Sequence, residues 1–439
     1  MLKKILAIIF IYILNSVNAQ CINADFAEHF CDSTMRIDYI FSGNAYSQQI
    51  ALDKISVMPR WYGKKENLDK LPIEGNGQIV VTDYKTGDTL YCNSFSTLFQ
   101  EWLTYDEAKT INKAFENVFL IPMPKDTVKV TVCLRNNRHH MVASMTHVVN
   151  PNDILIRHKG FGRSVPFETL QQAKDTTKCI HIAYVAEGYT EDEMDTFLHD
   201  ARIATDALFE HEPFKGKRDL FNVIAVKAVS EESGTSLPSQ GIWRKTVLGS
   251  HFDTFYSNRY LTTLNLFDLH DILSGTPYEH IIVLVNTSEY GGGGILNSYN
   301  LSMTHHSSFR QVVVHEFGHS FAGLADEYAY EQEAIPLYPV DVEPWEKNIT
   351  TLVDFHNKWE DLILPSTPIP TSIENFDKKN RRKEKTKISY PIGVYEGAGY
   401  SLKGVYRPAV DCRMRSNNTP NFCQACQKAI DEVIDFYTK

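Results

Sequence analysis

The stretch VVVHEFGHSFAGLADEY, Val312 to Tyr328, sets two histidines, three acids and a tyrosine behind a run of valines. Phe309, Val312, Val313, Phe317 and Phe321 recur at helical spacing, and Ser308 with Gln311 three residues later marks a helix start. Residues four apart on a helix are separated by about 400°, so His315 and His319 leave one face and their rings can converge on a single ion. Glu316 lies about 100° round from His315, where it can reach a water on that ion without being a ligand.

Metal-assisted hydrolysis requires this arrangement. Neutral imidazoles leave the ion's charge intact, and the ion lowers the pKa of its water to about 7. A carboxylate alongside takes the proton as the water attacks a carbonyl, then passes it to the leaving amine. Imidazole ligation with an open position suits one catalytic Zn2+. A third protein ligand is needed, yet on a straight helix Asp326 would lie about 10 Å beyond His319 along the axis. The helix must therefore break, and Gly323 is where a left-handed residue costs nothing. Asp326 is the favoured ligand; Glu327 and Glu331 are the alternatives.

Upstream, short alternating runs such as Gln78–Asp83 and Val128–Leu134, punctuated by turn residues, predict a β-rich, sandwich-like accessory domain over 20–156. A polar linker at 157–177 leads into a catalytic domain at 178–439. There the strands Cys179–Ala186, Phe221–Val226 and His280–Asn286 alternate with helices, one of them opened by a Thr190/Glu193 capping box. This rhythm implies a mixed sheet flanked by helices, and the whole chain is expected to be α+β. A closing helix is expected over Thr419–Tyr437, capped by Thr419. Tyr290-Gly-Gly-Gly-Gly294 lacks the lysine and hydroxyl of a phosphate loop; it either makes room for an extended peptide at a sheet edge or is a plain turn. Tyr328 and Tyr406 are candidate hydrogen-bond donors to an oxyanion.

The 439 residues, 43% hydrophobic, can bury a sizeable core. Lys3 and Lys4, the apolar run Ile5–Leu14 and Val17-Asn-Ala19 read as a secretory signal over 1–19, too short to span a bilayer and leaving no membrane anchor once cleaved. Gln20 disfavours lipidation of Cys21. The formal charge of −10, falling to −12 without the two leader lysines, argues against nucleic acid as a partner. A secreted chain can form disulfides, and the expected local pairings are Cys21 with Cys31, Cys92 with Cys133, and Cys412 with Cys423 or Cys426. Cys423-Gln-Ala-Cys426 lacks the second such pair that a zinc ribbon needs. The charge run Asp377–Lys387 reads as a solvated loop.

HEFGHSFAGLADEY (315–328), AEGYTEDEM (186–194), HEPFKGKRDLFNVIAVKAVSEESGT (211–235), VLVNTSEYGGGG (283–294) and VYRPAVDCRMRS (405–416) together resemble the IgA peptidase family of zinc metallopeptidases. The β-rich region is similar to the accessory domain that accompanies such peptidases. The resemblance implies a metzincin-like catalytic domain, a protein or peptide substrate, and Met414 in a turn beneath the metal. One departure stands out: Gly323 and Asp326 fall four and seven residues after His319, where the metzincin signature has three and six. The resulting expectation is a secreted zinc endopeptidase with Glu316 as general base. The competing readings are a zinc amidase acting on a non-protein amide and a surface binding protein with a structural metal site.

Overall fold

The computed structural model describes residues 25–330, 337–372 and 390–439. The signal at 1–19, Cys21 and its pairing with Cys31, Glu331, and the charge run 377–387 lie outside these residues. The N-terminal half holds two short helices, α1 (Phe26–His29) and α2 (Leu98–Trp102), and the strands β1 (Phe30–Gly43), β2 (Gln48–Pro59), β3 (Gly77–Asp83), β4 (Thr89–Phe95), β5 (Lys113–Pro124), β6 (Val128–Arg135), β7 (Met141–Val149) and β8 (Arg157–His158). The strands make two four-stranded sheets, β5-β1-β2-β8 and β4-β3-β6-β7. The two runs singled out in the sequence are β3 and β6, paired antiparallel.

The second half is built on β9 (Phe167–Gln171), β10 (Ile180–Glu187), β11 (Phe221–Val226), β12 (His280–Val285), β13 (Gly292–Ile295) and β14 (Tyr299–Met303), in the order β13-β14-β12-β10-β11-β9. β14, β12, β10 and β11 run parallel, with antiparallel strands at both edges. The sheet is mixed and the fold α+β. The 157–177 stretch gives one short strand to each half, β8 beside β2 and β9 beside β11.

Strand alternation divides the core. Ile180, Ile182, Tyr184 and Ala186 face one side, where they pack with residues of α3 (Met194–Phe209), α5 (Phe309–Ala322) and α6 (Gln424–Thr438). Ala183 and Val185 face the other side, in one cluster with Met35, Ile37 and Phe41 of the sandwich. The two halves therefore share a hydrophobic core. Arg36, fully buried in β1, reinforces the join: it grips Asp38 through two hydrogen bonds of 2.6 and 2.9 Å, donates to the Phe267 carbonyl at 3.0 Å and pairs with Asp271, both in α4 (Leu266–Ile272).

Several local expectations change. The Thr190/Glu193 capping box is present, but Ser308 caps α5 without a side-chain bond, and its amide donates to His306 Nδ1 at 3.1 Å and not to the Gln311 side chain. The closing helix starts at Gln424, not Thr419, because the Cys423 amide is held by Cys412 Sγ and Asn421 is bonded to Arg413. The Cys92–Cys133 pairing is excluded by topology. β3 lies between β4 and β6, so the two cysteines stand two strand spacings apart, about 10 Å, beyond the roughly 7 Å reach of a disulfide. Cys412 does approach Cys426, at 3.8 Å between sulfurs, and all seven described cysteines are free thiols. Among the described residues, no helix is long and apolar enough to cross a membrane.

Candidate metal centre

The helix α5 places its imidazoles as the four-residue spacing demands. His315 Nδ1 donates to the Arg413 carbonyl at 2.9 Å and His319 Nδ1 to the Leu324 carbonyl at 2.5 Å. A carbonyl only accepts, so each Nδ1 carries a proton, and in its neutral form each ring presents a bare Nε2 lone pair. These lone pairs face each other at 3.1 Å, and Asp326 Oδ1 lies 3.1 and 3.3 Å from them. Asp326 Oδ1 has no hydrogen-bond partner among the described residues. Three electron-rich atoms this close repel unless a cation joins them. A tetrahedral ion about 2.0–2.1 Å from each would set them about 3.3 Å apart, so the donor set fits zinc.

Asp326 arrives by the route that Gly323 opens. Gly323 caps α5 at φ +58°, its amide bonds His319 O at 3.0 Å, and the Leu324 amide bonds Gly318 O at 3.2 Å, a left-handed glycine cap. Asn348 then brackets Ala325 from both sides at 2.8 Å, the Gly399 amide donates to Asp326 O and the Glu327 amide to Met414 O. Of the two described acids considered for third ligand, Asp326 meets the imidazoles; Glu327 turns away toward cysteines.

Protons alone leave the site in tension. Burial pulls His319 down, but the Asp326 carboxylate overcomes it and raises His319 to about 9. Burial likewise pushes Asp326 up, and the two histidines reverse this and hold it well below the usual range. Glu316 is raised, chiefly by burial.

Met414 is fully buried, and a Cβ on Gly318 would stand 2.8 Å from its sulfur, so the methionine packs under α5 between the two histidines. The glycine run also has a defined place. It forms edge strand β13 against α5, where a Cβ on Gly292 would come within 2.6 Å of Glu316 Oε1 and one on Gly294 within 2.5 Å of Glu316 O. The glycines let the strand approach the metal helix. At Gly292 the outer edge is already bonded to the 259–261 segment, so peptide pairing is precluded at that position.

Tyr328 lines the cleft over the site, whereas Tyr406, on β16 (Ser401–Arg407), does not and packs with the Trp359 cluster. The tyrosine missed in the sequence is Tyr400, at the tip of the hairpin between β15 (Tyr395–Ala398) and β16. Its hydroxyl donates to Asp326 Oδ2 at 2.6 Å and meets Tyr328 OH at 3.0 Å. Holding the carboxylate by its far oxygen fixes which oxygen turns to the imidazoles. Tyr400→Phe is expected to weaken metal binding about 10- to 100-fold, measured by competition with a chelating dye, while the melting temperature stays near wild type.

The cleft has a volume of about 750 Å³, and the N-terminal domain supplies part of its wall through Gln100, Glu101, Tyr105 and His139. Glu101, bonded by the Tyr260 hydroxyl at 2.5 Å, is raised to about 7, mainly by burial. Nothing local in the β-rich sequence marks Glu101.

A family model described as IgA Peptidase M64 matches residues 169–389 and 377–434, and one described as Peptidase M64 N-terminus matches residues 25–146. No curated protein matches the chain.

Proposed function

Because the chain belongs to the IgA peptidase M64 family and is a metallopeptidase, we propose that it is a secreted zinc endopeptidase with His315, His319 and Asp326 as the ligands and Glu316 as general base. The convergence of two bare Nε2 atoms and an unpartnered carboxylate oxygen within 3.1–3.3 Å carries this reading. Zinc, when bound, supplies a Lewis acid that acidifies water and polarises a carbonyl.

The chain's own residues supply the rest. Glu316, buried at the cleft wall beside the histidines, takes the proton from the attacking water on its carboxylate and delivers it to the leaving amine nitrogen. Its raised pKa brings proton uptake and release closer in free energy near neutral pH. Arg413 O and Leu324 O keep the histidines in one tautomer, and Tyr400 orients Asp326. Tyr328 lines the cleft and donates its hydroxyl proton to Tyr400 OH; turned from that bond toward substrate, the same proton would serve an oxyanion. The leader pattern at 1–19 supports export.

The test is hydrolysis of a diverse peptide library alongside non-peptide amides, with and without chelator. Internal cleavage of peptides, lost on chelation and restored by zinc, is the expected outcome. Turnover indifferent to chelation would refute the proposal, and cleavage confined to non-peptide amides would make the enzyme an amidase.

A further inference from the structure

Cys423-Gln-Ala-Cys426 has no second cysteine pair in the sequence, yet the fold brings it two further donors. Cys412, two residues before Met414, and Glu327, the neighbour of Asp326, place their ligand atoms with those of Cys423 and Cys426 so that all four lie within 4.8 Å of one another. We propose that Cys412, Cys423, Cys426 and Glu327 bind a second zinc ion, structural and separate from the catalytic one.

The donor set of three thiols and a carboxylate suits zinc. The spacing agrees. Two sulfurs each about 2.3 Å from a tetrahedral zinc lie about 3.8 Å apart, and Cys412 Sγ stands 3.8 Å from Cys426 Sγ. A sulfur and a carboxylate oxygen would be about 3.5 Å apart on the same ion; Glu327 Oε1 is 2.9 Å from Cys426 Sγ and 3.9 Å from Cys423 Sγ.

Independent evidence comes from the carboxylate. Glu327 is 0% exposed, and its Oε2 has no hydrogen-bond partner among the described residues. Asn348 serves Oε1 at 3.0 Å, and the guanidinium of Arg407, whose charge acts on Glu327, is bonded to the carbonyls of Ala409, Glu396 and Gly397. A buried acid so placed needs either a proton or a cation. A Cys412–Cys426 disulfide would close one gap but leave Cys423 and the acid unanswered. None of the four residues lines the cleft, which accords with a closed structural site and not a second catalytic one.

The ion would tie together the three segments that support the catalytic centre. Glu327 continues the loop carrying Asp326, Cys412 opens the turn whose Arg413 carbonyl fixes His315 and whose Met414 underlies α5, and Cys423 and Cys426 begin α6.

Metal analysis with zinc-edge X-ray absorption tests this on the full chain. The His315→Ala/His319→Ala double variant should keep about one zinc per chain, with about three sulfurs in its shell. With both sites filled, the wild type should show about two zincs averaging 1.5 sulfurs each. A variant that folds, by circular dichroism and melting, yet holds no zinc, a wild-type shell without sulfur, or a non-reduced peptide map showing Cys412 in a disulfide would each overturn the proposal. A wild type with no more zinc than the double variant would instead count against the catalytic site, which keeps the two failures apart. Because the wild-type spectrum suffices alone, poor folding of the double variant leaves the test intact.

Discussion

Glu316→Gln should lower kcat/KM by about 10²- to 10⁴-fold while leaving zinc content unchanged. That is about 2.7–5.5 kcal/mol of transition-state stabilisation. Glutamine keeps the size and shape of the side chain, so its fit against Gly292, where a Cβ would already meet Oε1 at 2.6 Å, is preserved. The amide cannot accept and return a proton, so the loss should fall mainly on kcat, with KM little changed. Metal binding should persist because Glu316 is outside the triangle of His315, His319 and Asp326. Turnover within threefold of wild type at full zinc occupancy would remove Glu316 from its role; loss of zinc along with activity would make it a ligand instead.

What could be read from the sequence follows how far apart the cooperating residues lie. The histidine pair is visible because helical geometry alone joins positions 315 and 319. Asp326 is visible one step less directly, through a glycine able to reverse the chain, and with the left-handed cap at Gly323 the carboxylate reaches the imidazoles despite the one-residue departure from the metzincin spacing. The near-continuous apolar run of β10 marks a strand buried on both faces, but nothing in it says that the second face meets the sandwich. Glu101, Tyr400 and the Glu327–cysteine cluster are invisible for one reason: each depends on segments distant in sequence being set side by side by the tertiary fold. Tyr406 pairs with Glu396 within β15–β16, and that register leaves Tyr400 at the hairpin tip. Cys92 and Cys133 are kept apart by β3, a strand order that no local pattern reveals.

Gly323→Ala should both destabilise the protein and strip the catalytic metal. At φ +58° a residue with a Cβ costs about 1–2 kcal/mol, and the added carbon would stand 2.7 Å from Trp345 Cζ3 and 3.4 Å from Ile73 Cγ2, adding about 1–3 kcal/mol of overpacking. Trp345 cannot yield freely, because its indole nitrogen is bonded to Asn76 Oδ1 at 2.5 Å across the join between the two halves. Relief must come from the loop after the helix, which carries both Leu324 O, the partner of His319 Nδ1, and Asp326 itself. Asp326→Ala is the informative comparison: it removes the ligand and leaves the turn, so the catalytic zinc alone should be lost with a much smaller fall in denaturant midpoint, both proteins being compared after chelation. If Gly323→Ala lowered the midpoint yet bound zinc as tightly as wild type, the turn would be a matter of stability alone, and the carboxylate would not depend on it to reach the histidines.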